Sequence, residues 1–457
     1  MRRLLLDTRP LAVSPDFRRL WIGQAVSFLG TMITGAALPY QVYHQTGSSF
    51  AVGVLGGVQL VPLLGFSLLG GALADGVDKR RLLLIITSLS LITTTSLAAN
   101  ASLDRPELWL LYVLGAVSSA IGAVSFAVLR SLLPLLLDDE LRPAGYALQS
   151  TYGSFGMMAG PALAGVLIAA GGLSTAYTVD LATYLVALTV FLGIAPAPPI
   201  GGGTSAATSA ESPGSPRALA ASTVEGLRFL RGHTMVLSTF GLDLLAMTFG
   251  MPRALFPALA ERLGGGAPLY GLLWAAVAAG AFLASVTSGW TTHVLRQGRA
   301  VLLAVALWGG AIAGAGLVRL PAVVLVLLAV AGGADMISGV FRSTITAAVT
   351  PDSLRGRVSG IEFAVYAGGP VVGDVEAGLV GGVAGVRFAI VSGGLACVAA
   401  AVVFATRVRS FAGYVAPGRA PAAADLPELP ERGLAEPPAA GAGPPLGEAP
   451  GPAPATT

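Results

Sequence analysis

Charge is scarce in this chain. Only 11% of its 457 residues are charged and 54% are apolar, whereas about 25% of the residues in a typical soluble protein are charged. Lysine is nearly absent, because Lys79 is the single lysine among 27 basic residues, and Asp78 precedes it, so no GxxxxGK[ST] phosphate loop exists. These shortages exclude a P-loop ATPase and predict an integral membrane protein.

Cysteine and histidine are equally rare. A single cysteine, Cys397, excludes an intrachain disulfide and a cysteine-rich metal site. The 3 histidines lie far apart without ligand spacing, so neither a metal nor another cofactor is expected. No nucleophile and base stand at a recognisable spacing, so we do not expect an enzyme. The net charge of +3 comes from arginines spread over short loops, and no nucleic-acid partner is expected.

Apolar runs long enough to cross a bilayer recur along the chain. A helix needs about 20 residues to span the ~30 Å hydrocarbon layer. Twelve such runs are predicted, at residues 21–43, 52–74, 82–101, 109–129, 146–170, 176–194, 235–260, 269–290, 300–318, 322–347, 358–380 and 386–406. We therefore predict an all-α membrane protein with twelve transmembrane helices.

The remaining segments divide the chain into five parts. Most of the basic residues fall in loops on one side of the twelve runs, and only Arg105, Arg262, Arg319 and Arg387 fall in loops on the other. By the positive-inside rule, the arginine-rich side and both termini face the cytoplasm. The predicted parts are a cytoplasmic N-terminus (1–20), a first bundle (21–195), a cytoplasmic linker with an amphipathic helix (196–234), a second bundle (235–406) and a disordered cytoplasmic tail (407–457).

The two predicted bundles share sequence features. Gly160-Pro161 in the fifth run has a counterpart in Gly369-Pro370 in the eleventh, and Arg130-Ser131 after the fourth has one in Arg342-Ser343 in the tenth. Internal repeats of this kind are typical of transporters built from two related six-helix bundles around a pseudo-two-fold axis.

The most specific motif lies between the second and third runs. Residues 70–81 read GGALADGVDKRR, in which a small-x-Leu-Ala-Asp sequence precedes a basic cluster. This motif resembles the signature loop of the major facilitator superfamily. Asp78 stands where that loop usually has glycine, a variant similar to the enterobactin-exporter-like and macrolide-exporter branch. The candidate gating residues are Gly71, Asp75, Lys79, Arg80, Arg81 and Arg130. The resemblance implies that Asp75, Arg81 and Arg130 hold the inner helix ends together in the outward-facing state.

The fifth run carries a second motif. Its GxxxGPxxAG sequence contains Gly156, Gly160, Pro161 and Gly165, small residues that allow close helix packing. It resembles the motif that antiporters of the superfamily carry in their fifth helix, which implies export. A packing face without directional meaning is the alternative.

Ionisable residues inside the apolar runs are the candidates for coupling, because charge at bilayer depth is costly. Asp335 and Asp243 are the first choices for proton carriers, with Arg342, seven residues after Asp335, as a possible partner. A buried ion pair that only fixes helix register is the alternative. Asp374 and Glu376 are further candidates, whereas Asp180 and Glu362, near the ends of their runs, are interpreted as cap or interface residues.

Three functions remain open at this stage. The favoured one is proton-coupled efflux of a bulky amphipathic molecule, such as a siderophore or a drug, across the plasma membrane by a monomeric transporter. A solute importer of the same fold is the second. The third is a membrane scaffold or sensor that transports nothing.

Overall fold

A computed structural model describes residues 7–196, 228, 230–351 and 354–415. Within these ranges every regular element is a helix. The first group of helices is α1 Arg9–Val13, α2 Pro15–Thr46, α3 Ser49–Gly76, α4 Lys79–Ala101, α5 Leu108–Leu136 and α6 Arg142–Leu192. The second group is α7 Thr234–Phe249, α8 Phe256–Arg262, α9 Gly266–Val286, α10 Gln297–Leu317, α11 Pro321–Val349, α12 Arg355–Ala384, α13 Val386–Arg407 and α14 Arg409–Ala412.

The chain is a multi-pass membrane protein. Among the described residues, 10 helical segments are long and apolar enough to cross a bilayer. One of them, α6, has 51 residues, and Gly172 interrupts it with a backbone φ of 80°. At about 1.5 Å per residue α6 is more than twice as long as the hydrocarbon layer is thick. Helix α12 has 30 residues, which is also long enough to cross a bilayer.

Short polar turns connect the helices. Helix α2 ends at Gly47, whose φ of 62° is a left-handed conformation that glycine adopts at no steric cost. The next residue, Ser48, caps α3 by accepting a hydrogen bond from the backbone N–H of Ala51 at 3.4 Å. Asp78 caps α4 in the same way, accepting from the N–H of Arg81 at 2.7 Å. Tight turns of this kind keep neighbouring helices antiparallel.

The helices pack into two halves. In the N-terminal half α2 lies along α6 and α3 along α5, and in the C-terminal half α10 lies between α11 and α13 while α9 packs on α11. Because lipid tails are as apolar as leucine, helices in a bilayer associate through close packing rather than through removal of apolar surface from water. The 61 glycines of the chain suit this requirement.

Contacts between the halves gather toward the end of the bundle where α2 ends and α3 begins, here called the α2–α3 end. Helix α3 packs on α12 and α6 packs on α9. A Cβ atom at Gly53 would lie 2.9 Å from the Cα of Gly378, and one at Gly165 would lie 3.1 Å from the Cα of Gly271. The halves therefore touch through backbone at two places.

Two hydrogen bonds join the halves at the same end. The buried Tyr270 hydroxyl donates to the carbonyl oxygen of Ala36 at 2.7 Å, and the Tyr43 hydroxyl donates to Glu261 Oε2 at 2.8 Å.

Several sequence expectations need correction. The predicted loop between the second and third runs consists of only Val77 and Asp78, because α3 continues through Gly76 and α4 starts at Lys79. The seventh run is broken after Phe249 by a 3-10 turn at Arg253–Leu255, since Pro252 cannot donate a helical hydrogen bond. Helix α2, which contains the first run, starts at Pro15 instead of residue 21.

The predicted tail also begins later than expected. Helix α14 follows Arg407, and its Phe411 side chain is fully buried. A disordered segment would not bury an aromatic ring, so residues 409–415 belong to the folded part. The expected amphipathic helix at 218–231 and the tail after residue 415 lie, apart from positions 228, 230 and 231, outside the described residues.

Candidate functional site

A cluster of three charged side chains lies inside the C-terminal half. Arg342 of α11 is 2.6 Å from Asp243 of α7, measured between Nη1 and Oδ1, and 3.9 Å from Asp335 of α11, measured between Nη2 and Oδ1. At 2.6 Å the closer contact is a direct ion pair between opposite charges. Asp335 is the neighbour that the seven-residue spacing on one helix predicts, whereas Asp243 comes from a different helix.

The two acids of this cluster differ in accessibility. The side chains of Asp243 and Arg342 are 8% and 10% exposed, whereas that of Asp335 is 29% exposed. Asp243 is therefore held in a tight, buried ion pair, and Asp335 is the looser and more accessible acid. With both acids ionised the cluster carries one net negative charge, and one proton neutralises it.

A second ion pair lies toward the α2–α3 end. Arg253 Nη2 is 2.7 Å from Asp374 Oδ2, and the backbone N–H of Ala254 donates to Asp374 Oδ1 at 3.2 Å. The Arg253 guanidinium also lies 5.5 Å from the centre of the Trp274 ring, within cation–π range. Sequence reasoning identified Asp374 but not its partner. The sequence feature that could have indicated Arg253 is Pro252, because it breaks the seventh run next to this arginine.

This second pair borders the N-terminal half. A Cβ atom at Gly56 of α3 would lie 3.1 Å from the Cβ of Asp374. Asp374 therefore belongs to the contact between the halves as well as to the pair with Arg253. Glu376, two residues further along α12, is partly exposed, and no ion pair in the described part of the chain includes it. Glu362 accepts a weak hydrogen bond from Ser343 at 3.3 Å.

The N-terminal half buries one acid that sequence reasoning assigned a different role. Asp180 is 1% exposed, and Thr34, Thr94 and Thr183 donate hydroxyl hydrogen bonds to its carboxyl oxygens at 2.5, 3.2 and 3.2 Å. It is therefore neither a helix cap nor a headgroup-facing residue. The run of threonines in α4 was the signal, since each hydroxyl in an apolar helix needs a partner.

The gating motif is only partly visible. The α3 backbone includes Gly71 and Asp75, but the surroundings of Gly71 and the side chain of Asp75 lie outside what the structure describes. Lys79 was expected at the aqueous surface, but its side chain is 1% exposed because it begins α4 inside the packed bundle. The remaining motif arginines are exposed or partly exposed. Arg80 Nη2 donates to the carbonyl oxygen of Leu192 at 2.8 Å, and Arg130 lies 5.5 Å from the centre of the Phe126 ring.

The glycine motif of the fifth run faces two neighbours. A Cβ atom at Gly156 would lie 2.6 Å from the Phe28 ring, and one at Gly160 would lie 3.3 Å from the carbonyl oxygen of Leu29, both on α2. Gly165, one turn further, instead contacts α9 of the other half at Gly271. The Pro161 carbonyl is also next to Gly271. The motif thus lies where α6 passes from its own half to the contact between halves.

Comparison with known proteins identifies the family. Residues 9–422 match the family described as transmembrane secretion effectors. The chain belongs to this family of the major facilitator superfamily. The resemblance found in the sequence is thereby confirmed, and so is the expectation that the protein is a transporter and not an enzyme.

Named relatives are exporters. The chain is 29% identical over 384 residues to the enterobactin exporter of Escherichia coli O1:K1 / APEC, an alignment that covers 83% of this chain and 87% of the exporter. It is 28% identical over 383 residues to the enterobactin exporter of Shigella boydii serotype 18 (strain CDC 3083-94 / BS512), with the same coverage of 83% and 87%.

Solved structures share the fold at low identity. The nucleoside transporter NupG superposes with a TM-score of 0.64 at 13% identity, covering 86% of this chain and 99% of NupG. A bacterial homolog of the human lysosomal transporter Spinster, solved in an inward-facing and unoccupied conformation, gives 0.59 at 16% identity, covering 86% of this chain and 97% of the homolog. These similarities establish a transporter fold of the major facilitator type.

Proposed function

We propose that the protein exports a bulky amphipathic small molecule, a siderophore or a drug, across the plasma membrane in exchange for protons. The similarity to enterobactin exporters supports export and makes enterobactin the first substrate to test. The protein works as a monomer. Its central cavity opens alternately to the two sides of the membrane.

The observation that carries the proposal is the imbalance of charge around Arg342. One guanidinium faces two carboxylates, at 2.6 and 3.9 Å. Because charge at bilayer depth is costly, the cluster favours the state in which one acid is protonated and the sum of charges is zero. Asp335 is the acid that takes and releases this proton, since it is more exposed and more weakly paired than Asp243.

The proposed architecture has twelve spans in two bundles, residues 21–195 and 235–406. Helix α6 supplies the fifth and sixth spans on either side of Gly172, and α12 supplies the eleventh. The linker 196–234, the tail 407–457 and both termini are cytoplasmic, because most arginines then lie on the inner side. In this orientation the α2–α3 end faces outward, and the described contacts between halves close that side.

Alternating access follows from this arrangement. Opening outward separates Gly53 from Gly378 and Gly165 from Gly271, while Asp75, Arg81 and Arg130 hold the inner ends together. The glycines of the antiporter-type motif allow the two backbones to meet again after each cycle.

The test is transport by purified protein in vesicles. Enterobactin is offered outside vesicles with an acidic lumen, so that protons leaving through the protein drive the substrate in. We expect accumulation by the wild type and a fall of roughly tenfold or more in the Asp335→Asn variant, because an amide does not take up and release a proton near neutral pH. Asp104→Asn, an exposed loop acid, is the matched control and should transport like the wild type.

Two results would contradict the proposal. Equal accumulation of enterobactin with and without the pH gradient would rule out proton coupling. Full gradient-driven transport by the Asp335→Asn variant would rule out its role as the carrier.

A further inference from the structure

A groove opens on the lipid-facing surface of the C-terminal half. It lies between α9, α10 and α11 and has a volume of about 590 Å³, within the ~300–1,000 Å³ typical of small-molecule sites. Most of its lining is aliphatic or aromatic. Leu303 and Leu307 on its wall are 71% and 54% exposed, so the groove opens to the bilayer rather than to the protein interior.

The mouth of the groove is basic. Arg296 and Arg299 line one end of it, beside Trp290, and all three side chains are exposed. No ion pair in the described ranges includes either arginine. Arg296 is also the N-cap of α10 without a side-chain capping bond, so the positive end of that helix dipole adds to the field of the two guanidinium groups.

We propose that this groove binds an anionic phospholipid, with its phosphate between Arg296 and Arg299 and an acyl chain along the aliphatic wall. The two parts of the site match the two parts of such a lipid in charge and in position. Basic pockets between transmembrane helices on the cytoplasmic side bind acidic headgroups, and tryptophan prefers the headgroup level. A soluble anion would use the arginines but would leave the apolar wall without a function.

The lipid would lie beside the charge cluster. Ala334 and Phe341 line the groove, and each is followed in α11 by a member of the cluster, Asp335 or Arg342. The Phe341 ring packs edge-on against Trp290, with ring centres 6.3 Å apart. An acyl chain in the groove therefore packs against the face of α11 adjacent to the one that presents the charges.

The experiment measures lipid retention by the full chain in detergent. Native mass spectrometry counts dioleoyl phosphatidylglycerol and dioleoyl phosphatidylcholine bound at equal concentrations. We expect the wild type to retain phosphatidylglycerol in preference to phosphatidylcholine. The double variant Arg296→Gln with Arg299→Gln should retain phosphatidylglycerol at least about tenfold more weakly, because each surface cation contributes to binding of an acidic headgroup. The double variant Arg319→Gln with Arg387→Gln, which removes the same charge from exposed positions of the same half that do not line the groove, should retain it normally.

A second pair of variants tests the apolar wall independently of charge. Val330→Trp fills the groove, whereas Val326→Trp, one turn earlier on α11 and 62% exposed, does not line it. Only Val330→Trp should displace phosphatidylglycerol. Equal retention by the Arg296/Arg299 variant, equal loss in both charge variants, or displacement of the lipid by inorganic phosphate would overturn the proposal.

The inner position of the groove rests on the topology proposed above. Retention is measured without transport, so a negative result here leaves the export proposal intact, and failure of transport leaves lipid retention unaffected.

Discussion

The two halves of the molecule bury carboxyl groups in different ways. In the N-terminal half three threonine hydroxyls donate to Asp180, and no described cation interacts with it. In the C-terminal half Asp243 and Asp335 share one arginine, and Asp374 has another. Hydroxyl groups solvate a carboxyl without fixing its charge, whereas a guanidinium stabilises the ionised form.

This difference assigns different tasks to the halves. A carboxyl at 1% exposure has almost no contact with solvent in the described state, so under the proposed mechanism Asp180 stabilises its half and does not exchange protons. The acids around Arg342 outnumber their cation, and one of them is partly exposed. The asymmetry makes the C-terminal half the one that exchanges protons under the proposed mechanism.

The largest expected effect comes from removing the shared cation. Arg342→Gln leaves two neighbouring acids without a partner and should lower the free energy of unfolding by about 3–5 kcal/mol at neutral pH. The loss should shrink as the pH is lowered, because protonation removes the charges that Arg342 neutralises. Thermal unfolding in detergent at several pH values provides the measurement. The double variant Asp243→Asn with Arg342→Gln should recover much of the loss, and an equally unstable double variant would contradict the interpretation.

A smaller effect is expected in the N-terminal half. Asp180→Ala removes the acceptor of three hydroxyls and should cost about 2 kcal/mol of unfolding free energy. Asp180→Asn keeps an acceptor oxygen, so it should be more stable than the alanine variant and should retain gradient-driven transport, unlike Asp335→Asn. If transport by Asp180→Asn no longer responds to the pH gradient, the division of tasks between the halves is wrong.

The smallest effect concerns the contact between the halves. Tyr270→Phe removes the hydrogen bond to Ala36 and should cost about 1 kcal/mol, which makes opening of the α2–α3 end roughly fivefold more frequent. Maleimide labelling of Ala267→Cys, a buried position on α9, reports this opening in a Cys397→Ala background. Tyr112→Phe is the matched control, because Tyr112 donates to the Ala51 carbonyl within one half at 3.2 Å. Equal labelling rates in the two variants would show that the Tyr270 bond does not hold the halves together.

Part of the candidate site was predictable because it obeys helix periodicity. Asp335 and Arg342 lie seven residues apart on α11, and that spacing alone places them near one another. The sequence showed that Asp243 places a charge at bilayer depth, where charge is costly, but it did not show that Asp243 is the closer partner of Arg342. Its place depends on how α7 packs against α11, and a helix that is apolar on all sides gives no sequence signal for the face it turns inward.

Other features were misjudged for the same reason. Asp180 lies near the end of its run, where a cap is the usual role, yet the packing of α2 and α4 around α6 encloses it. Phe411 belongs to a segment with the composition of a disordered tail, but α14 packs on α10, where the Phe411 carbonyl lies next to Gly298. Lys79 was taken as a surface cation because its neighbours are charged, and the start of α4 buries it.

The sequence by itself determined the class of the protein, its all-helical character and the family. A bilayer requires about 20 apolar residues per crossing and complete internal hydrogen bonding of the backbone. Long apolar runs meet the first requirement, and they meet the second by forming helices. Tertiary structure alone decided that Asp243 is the closer partner of Arg342, that Asp374 pairs with Arg253 and where the halves touch. Those choices depend on the rotation of each helix about its axis, which is fixed by packing between residues far apart in the sequence.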